Sequence, residues 1–270
     1  MLELSRTVRF FLNDPSVEDV PAAHNTFAAW PPPRGLGRFY QLHVRCAGEA
    51  DTVTGLFINI RRIDQAVREH GLKCLRSALS NEASSNTMAM GGLLTAMIQA
   101  LQPPLDSTVH ELRLDLSPYH SLAIRSTDMD HVILTQQYEF AAGHRLQVAQ
   151  FSEHRNQELF GSCHQPSGHG HNYRVDVTVC APMQDDGSII HIDQIDALVN
   201  ECVTRKLDHK NLNTDVPEFS SLNPSVENIT KVIFGMLVDR IAELGVKLEA
   251  VSVWETSKTV CTYRGETTTV

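Results

Sequence analysis

Residues 173–179 alternate with a period of two. Tyr173, Val175, Val177 and Val179 are apolar, and Arg174, Asp176 and Thr178 between them are polar. Successive side chains of a strand point to opposite faces, so this spacing predicts a half-buried strand. Farther on, the period lengthens. Ile195, Leu198, Val199, Cys202 and Val203 recur every three or four residues, which predicts one stripe of a helix with Asp193 as its N-cap. A second helix is predicted to start near Asn223-Pro224, because proline suits a first helical turn. It turns Val226, Ile229, Val232, Ile233, Met236, Leu237 and Ile241 inward, and Gly245 stops it. Residues 250–254 and 260–263 read as a last strand pair, and Asp185-Asp186-Gly187 as a hairpin turn. The order is β-β-α-α-β-β. It predicts an α+β layer, a four-stranded antiparallel sheet with two helices on one face.

The first half repeats the pattern. Gly35-Leu36-Gly37-Arg38-Phe39-Tyr40 runs into an alternating stretch, as Gly168-His169-Gly170-His171-Asn172-Tyr173 does. TGLFINIRRIDQAV from Thr54 matches DGSIIHIDQIDALV from Asp186, aligning Ile60 with Ile192, Ile63 with Ile195 and Asp64 with Asp196. GGLLTAMIQAL from Gly91 parallels ENITKVIFGML from Glu227, and HELRLDLSPYHSLAIR parallels EAVSVWETSKTVCTYR. Four segments in one order imply two copies of one unit, residues 1–129 and 130–270.

The copies differ in chemistry. His169 and His171 flank a glycine, so in an extended backbone both imidazoles point to one side. They suit either a metal grip or a hydrogen-bonded pair at a strand end. With His144 as third ligand and an open fourth position, the set is that of catalytic zinc. Cys163 lies among Gly161, Ser162 and Pro166, in a predicted loop where a nearby metal or cationic histidine would favour its thiolate. The ordinary alternative is a small buried residue. Asp208-His209 can form an oriented acid/base pair near neutral pH, or simply end a surface helix. Glu255 follows a buried strand and needs a donor, supplied by an arginine or by a guanidine-like ligand edge. Glu227, in a first helical turn, compensates the helix dipole. In register, Leu36 and Arg38 replace His169 and His171, Gly91 stands opposite Glu227 and Leu116 opposite Glu255, and Asp14 falls loosely opposite His144. The first copy therefore lacks the metal site.

Composition narrows the classes. The 270 residues carry a formal net charge of −9, which argues against a general nucleic-acid binder. No apolar run reaches the roughly 18 residues needed to span a bilayer. The N-terminus lacks the order of a signal peptide. Six scattered cysteines read as reduced thiols, and a cytoplasmic location is expected.

FAAGHRL, FGSCHQPSGHGHNYRVDVTV, LDHKNLN, Pro-Ser-Val-Glu-Asn from Pro224 and VWETSKTVCTYRGE together resemble the 6-pyruvoyl-tetrahydropterin synthase family across residues 135–266. The resemblance implies the tunnelling fold, or T-fold. It implies zinc on His144, His169 and His171, Cys163 as general base, and Asp208 with His209 as a proton relay. Glu255 would anchor the pterin ring, and Glu227 and Ser225 would line its pocket. Val226 stands where the family often has threonine. The implied substrate is 7,8-dihydroneopterin triphosphate, a small molecule that rearranges without a redox cofactor. Units of this fold close barrels side by side, so a homotrimer imitating a six-unit assembly is expected. The spacing from the cysteine to HGHNY resembles the pyruvoyl-forming branch more than the 6-carboxytetrahydropterin synthase branch of deazapurine synthesis. That branch, and a non-catalytic assembly protein of the same fold, stand as alternatives. A metal-dependent hydrolase would need a carboxylate beside the metal, which the sequence does not locate.

Overall fold

The computed structural model describes residues 1–14, 16, 25–82, 89–106 and 108–266. The chain divides into two compact units. The first is Met1–Leu134 with Ala181–Ile189, and the second is Thr135–Cys180 with Ile190–Val270.

In the first unit, strands β1 (Leu2–Leu12) and β2 (Arg38–Gly48) pair antiparallel, with Phe10 opposite Tyr40. Helices α1 (Ile60–Ala66) and α2 (Leu72–Glu82) are joined by a π-helical turn at Val67–Gly71, and α3 (Met90–Leu101) follows. Strands β3 (Val109–Ser117) and β4 (His120–Arg125) extend the antiparallel sheet, and β5 (Asp128–His144) begins beside β4. Alternation sorts the two faces. Val8, Phe10, Leu42, Val44, Leu112 and Leu114 are buried with Ile63, Leu94 and Met97 of the helices. The opposite face carries cross-strand polar pairs, among them Arg45–Glu111 at 2.6 Å and His43–Asp115 at 2.7 Å.

The second unit takes the rest of β5 and adds α4 (Glu153–Phe160), β6 (His169–Pro182) and α5 (Ile192–Val199). A π-helical turn at Asn200–Thr204 carries α5 into a last turn, Arg205–Leu207. The two-residue β7 (Lys210–Asn211), α6 (Val226–Ala242), β8 (Lys247–Thr256) and β9 (Thr259–Tyr263) complete it. β5 lies beside β6, β6 pairs antiparallel with β8, and β8 with β9. β7 runs parallel to β5, with Ala142 opposite Lys210. The inward face of β6, Tyr173, Val175, Val177 and Val179, is fully buried with Ile195, Val199, Ile229, Ile233, Leu237 and Ile241. This is an α+β architecture of antiparallel sheet and helices.

Several local expectations change. His191, not Asp193, occupies the N-cap of α5, and the His191 imidazole makes no cap bond; Asp193 sits inside the first turn. α6 starts at Val226 with Ser225 as N-cap, so Pro224 precedes the helix. Thr230 and Phe234 join its buried face, while Val232 and Met236 are only half-buried. The turn at Asp185–Gly187, closed by Gly187 N–H to Gln184 O, leads into α5 rather than into a second strand. Helix α4 and strand β7 were not expected. Asn156 is the buried residue of α4, so no apolar stripe announces that helix. Among the described residues no helix is long and apolar enough to cross a membrane, and no disulfide links the cysteines.

Candidate active site

Strand alternation places His169, His171 and Tyr173 on the inward side of β6, and Phe140, Ala142 and His144 on the inward side of β5. Gly168, just before β6, adopts φ +67°, and a Cβ there would lie 2.9 Å from the His144 carbonyl oxygen. Only glycine meets both demands, which lets β6 start against the end of β5.

The two strand ends bring the three predicted histidines together. His144 Nε2 lies 3.1 Å from His169 Nε2, and one ring nitrogen from each of the three lies within 4.8 Å of the others. His144 is 1% exposed, and its Nδ1–H donates to the Pro224 carbonyl at 2.7 Å. That bond fixes the tautomer and leaves the Nε2 lone pair facing its neighbours. Burial, the largest cause, pushes the His144 imidazole below its ordinary range, against the Pro224 carbonyl and Glu255, which favour the charged ring. Burial likewise lowers His171, with Glu255 opposing. His169 Nδ1 and His171 Nε2 are buried without a protein hydrogen-bond partner. Converging imidazole nitrogens are the donor set that zinc takes, so these residues fit a metal ion.

Glu255, at the end of β8, reaches this cluster. Its Oε1 is 3.7 Å from His144 Nε2 and 3.8 Å from His171 Nε2. Tyr173 is fully buried, its ring stacks on Phe140 at 5.0 Å and it meets His171 edge-on at 5.5 Å. Burial, with Glu255 and Cys163 nearby, pushes its phenol well above the usual range. Cys163 is half-buried in the single 3-10 turn Gly161–His164 rather than in an open loop.

Asp208 and His209 follow the buried Leu207. One Asp208 oxygen accepts the Ala141 N–H at 2.8 Å, and the other lies 2.8 Å from His209 Nδ1. Those bonds, Ala141 first, hold the carboxyl below the usual carboxylate range. His209 has φ +56° and an exposed ring. With Lys210, Asn172 and His171 it lines a cleft of about 650 Å³ that residues 141–143 and 170 also line. Ser225 caps α6, accepting the Asn228 N–H at 3.4 Å, and Glu227 is exposed in the first turn.

Sequence reasoning passed over four residues at this site: Tyr173, Pro224, Asn213 and His164. Tyr173 shares the two-residue spacing of the histidines and was legible as core alone. Pro224 acts through its carbonyl, which no side-chain pattern reveals. Asn213 brackets the backbone of Arg145, accepting its N–H at 2.7 Å and donating to its carbonyl at 2.9 Å.

The chain has clear relatives. A family model described as 6-pyruvoyl tetrahydropterin synthase matches residues 133–266. The 6-pyruvoyl tetrahydrobiopterin synthase of Homo sapiens is 36% identical over 134 residues, 49% of this chain and 91% of that protein. The protein of that name from Dictyostelium discoideum is 34% identical over 136 residues, 50% of this chain and 97% of that protein. A solved 6-pyruvoyl tetrahydropterin synthase from Caenorhabditis elegans aligns at 28% identity with a TM-score of 0.47, covering 50% of this chain and 96% of that one. The chain belongs to the 6-pyruvoyl tetrahydropterin synthase family, through the half that carries the three histidines.

Proposed function

We propose that this lyase-type enzyme converts 7,8-dihydroneopterin triphosphate to 6-pyruvoyl-tetrahydropterin with elimination of triphosphate, using zinc held by His144, His169 and His171. The observation that carries this reading is the convergence of three imidazoles beside Glu255, on the stretch that matches the family. Zinc in such a site supplies Lewis-acid polarisation of the substrate's side-chain oxygens. Cys163, as thiolate, takes the proton from the carbon next to those oxygens. Asp208 holds His209 through Nδ1, which leaves Nε2 to carry a proton at the other end of the substrate's side chain. The carboxylate of Glu255 takes the N–H donors of the pterin edge, and Ser225 and Glu227 line the same pocket. The proximity of Glu255 to His144 and His171 supports a ring seated close to the metal. Incubation with 7,8-dihydroneopterin triphosphate, with products identified by mass spectrometry, tests the reading. A 6-carboxytetrahydropterin product would move the enzyme to the other branch, and folded protein that holds no zinc and turns nothing over would leave an assembly role.

We also infer that residues 1–129 and 130–270 are two copies of one T-fold unit, and that three chains assemble as a six-unit ring with sites only in the second copies. Two parallels support the repeat. Helices α1 and α5 each run into a π-helical turn, at Val67–Gly71 and Asn200–Thr204. The matched aspartates are each tied to a strand, Asp64 by the Arg6 guanidinium at 2.7 and 2.8 Å and Asp196 by the Tyr138 hydroxyl at 2.7 Å. Light scattering that returned a stable monomer would rule out the trimer. A cytoplasmic location remains part of the proposal.

A further inference from the structure

We propose that His164 is the positioning residue for the Cys163 thiol, strapping the turn that carries Cys163 to the end of the strand that carries His144. The proposal rests on the reading of Cys163 as the base.

His164 is out of character with its surroundings. Ser162, Gln165, Pro166 and Ser167 are exposed, yet His164 is 1% exposed. A buried imidazole needs partners, and this one has them on every side. Its Nδ1–H donates to the Leu146 carbonyl at 3.0 Å. Its Nε2 lies 2.9 Å from Glu153 Oε1 and 3.2 Å from an Arg145 terminal nitrogen. Arg145 also donates through Nε to the His164 carbonyl at 3.0 Å.

The backbone closes the same strap, because Leu146 N–H donates to the Cys163 carbonyl at 2.9 Å. Arg145 and Leu146 are the two residues after His144, and Asn213 holds the Arg145 backbone from the other side. The metal-ligand strand end and the thiol turn therefore share one hydrogen-bonded clamp, with His164 as its buried pin. A base must sit within about 3 Å of the proton it removes, so a pin of this kind sets the rate without touching substrate.

The test uses the full-length zinc enzyme and three variants. His164→Leu fills the buried space without a donor. His164→Gln keeps an N–H able to reach the Leu146 carbonyl. Glu153→Ala removes the exposed partner alone, its side chain being 73% exposed. Peptide-resolved mass spectrometry follows iodoacetamide alkylation of Cys163, with Cys74 and Cys261 as internal references. In His164→Leu, Cys163 is expected to be alkylated roughly tenfold faster, the factor that loss of one hydrogen bond's closure sets. In the same variant kcat is expected to fall about 10²-fold, with KM and zinc content nearly unchanged. His164→Gln should restore most of both, and Glu153→Ala should shift alkylation in the same direction by a few-fold. A general loss of packing would raise alkylation at all three cysteines, which would overturn the proposal. So would wild-type alkylation of Cys163 in His164→Leu or, where that variant does not fold, in Glu153→Ala. Alkylation needs no substrate, so it decides the strap even if the pterin reading fails.

Discussion

His144 depends on a carbonyl more than on any other side chain. The Pro224 oxygen, 2.7 Å from Nδ1, leaves Nε2 as the nitrogen able to take a metal ion, and burial keeps the ring neutral. The proposed metal holding by the histidines and proton transfer by Cys163 are then separable at single residues. Cys163 belongs to the turn outside the imidazole cluster, so Cys163→Ala should leave zinc content at the wild-type level. Turnover should fall by roughly 10²–10⁴-fold, the usual worth of a positioned base. Unchanged turnover would remove Cys163 from the chemistry. Asp208→Asn keeps an oxygen for the Ala141 N–H but loses the charge facing His209 Nδ1. Its expected signature is a kcat loss of about tenfold to a hundredfold with little change in melting temperature. A large stability loss with normal kcat would assign Asp208 to the fold instead.

At the scale of elements, the start of α6 does two jobs. Ser225 caps the helix, and the residue before it supplies the carbonyl that orients His144. Ser225→Ala is expected to destabilise the protein by about 0.5–1 kcal/mol, the low end for a lost cap because the bond is long at 3.4 Å. Loosening that turn should also weaken zinc affinity by about tenfold, as outer-shell changes do. Calorimetry with a competitive chelator titration reads both, and a stability loss with unaltered affinity would uncouple cap from ligand. Alternation in 173–179 and the stripe from Ile195 to Val203 report burial, because burial repeats with the geometry of the element. Three histidines and an Asp-His pair were legible because their chemistry is in their side chains. Helix α4 turns only Asn156 inward and gives no period. The cap moved from Asp193 to His191 because packing of Ile195 and Val199, not a side-chain bond, fixes where α5 begins. His164 looked like one more polar residue in a Gly- and Pro-rich stretch, since nothing local says that Arg145 and Leu146 will fold over it.

At the scale of the whole molecule, the two units pose a stoichiometric question. Among the described residues, His144, His169 and His171 are the group able to hold a metal ion, and all three lie in the second unit. The positions matched to His169 and His171 in the first unit are Leu36, which is fully exposed, and Arg38, which starts β2. Neither offers a lone pair to zinc. We therefore expect one zinc per polypeptide, and none after the double substitution His169→Ala, His171→Ala. Leaving His144 in place should not rescue binding, because a single imidazole cannot supply the multidentate hold of a tetrahedral site. The double variant should still fold, since His171 lies at the strand end, beyond the buried run from Tyr173 to Val179. Metal analysis by plasma mass spectrometry on folded protein decides the matter. Stoichiometric zinc persisting in the double variant would place a metal site in the first unit and end its reading as a stripped copy.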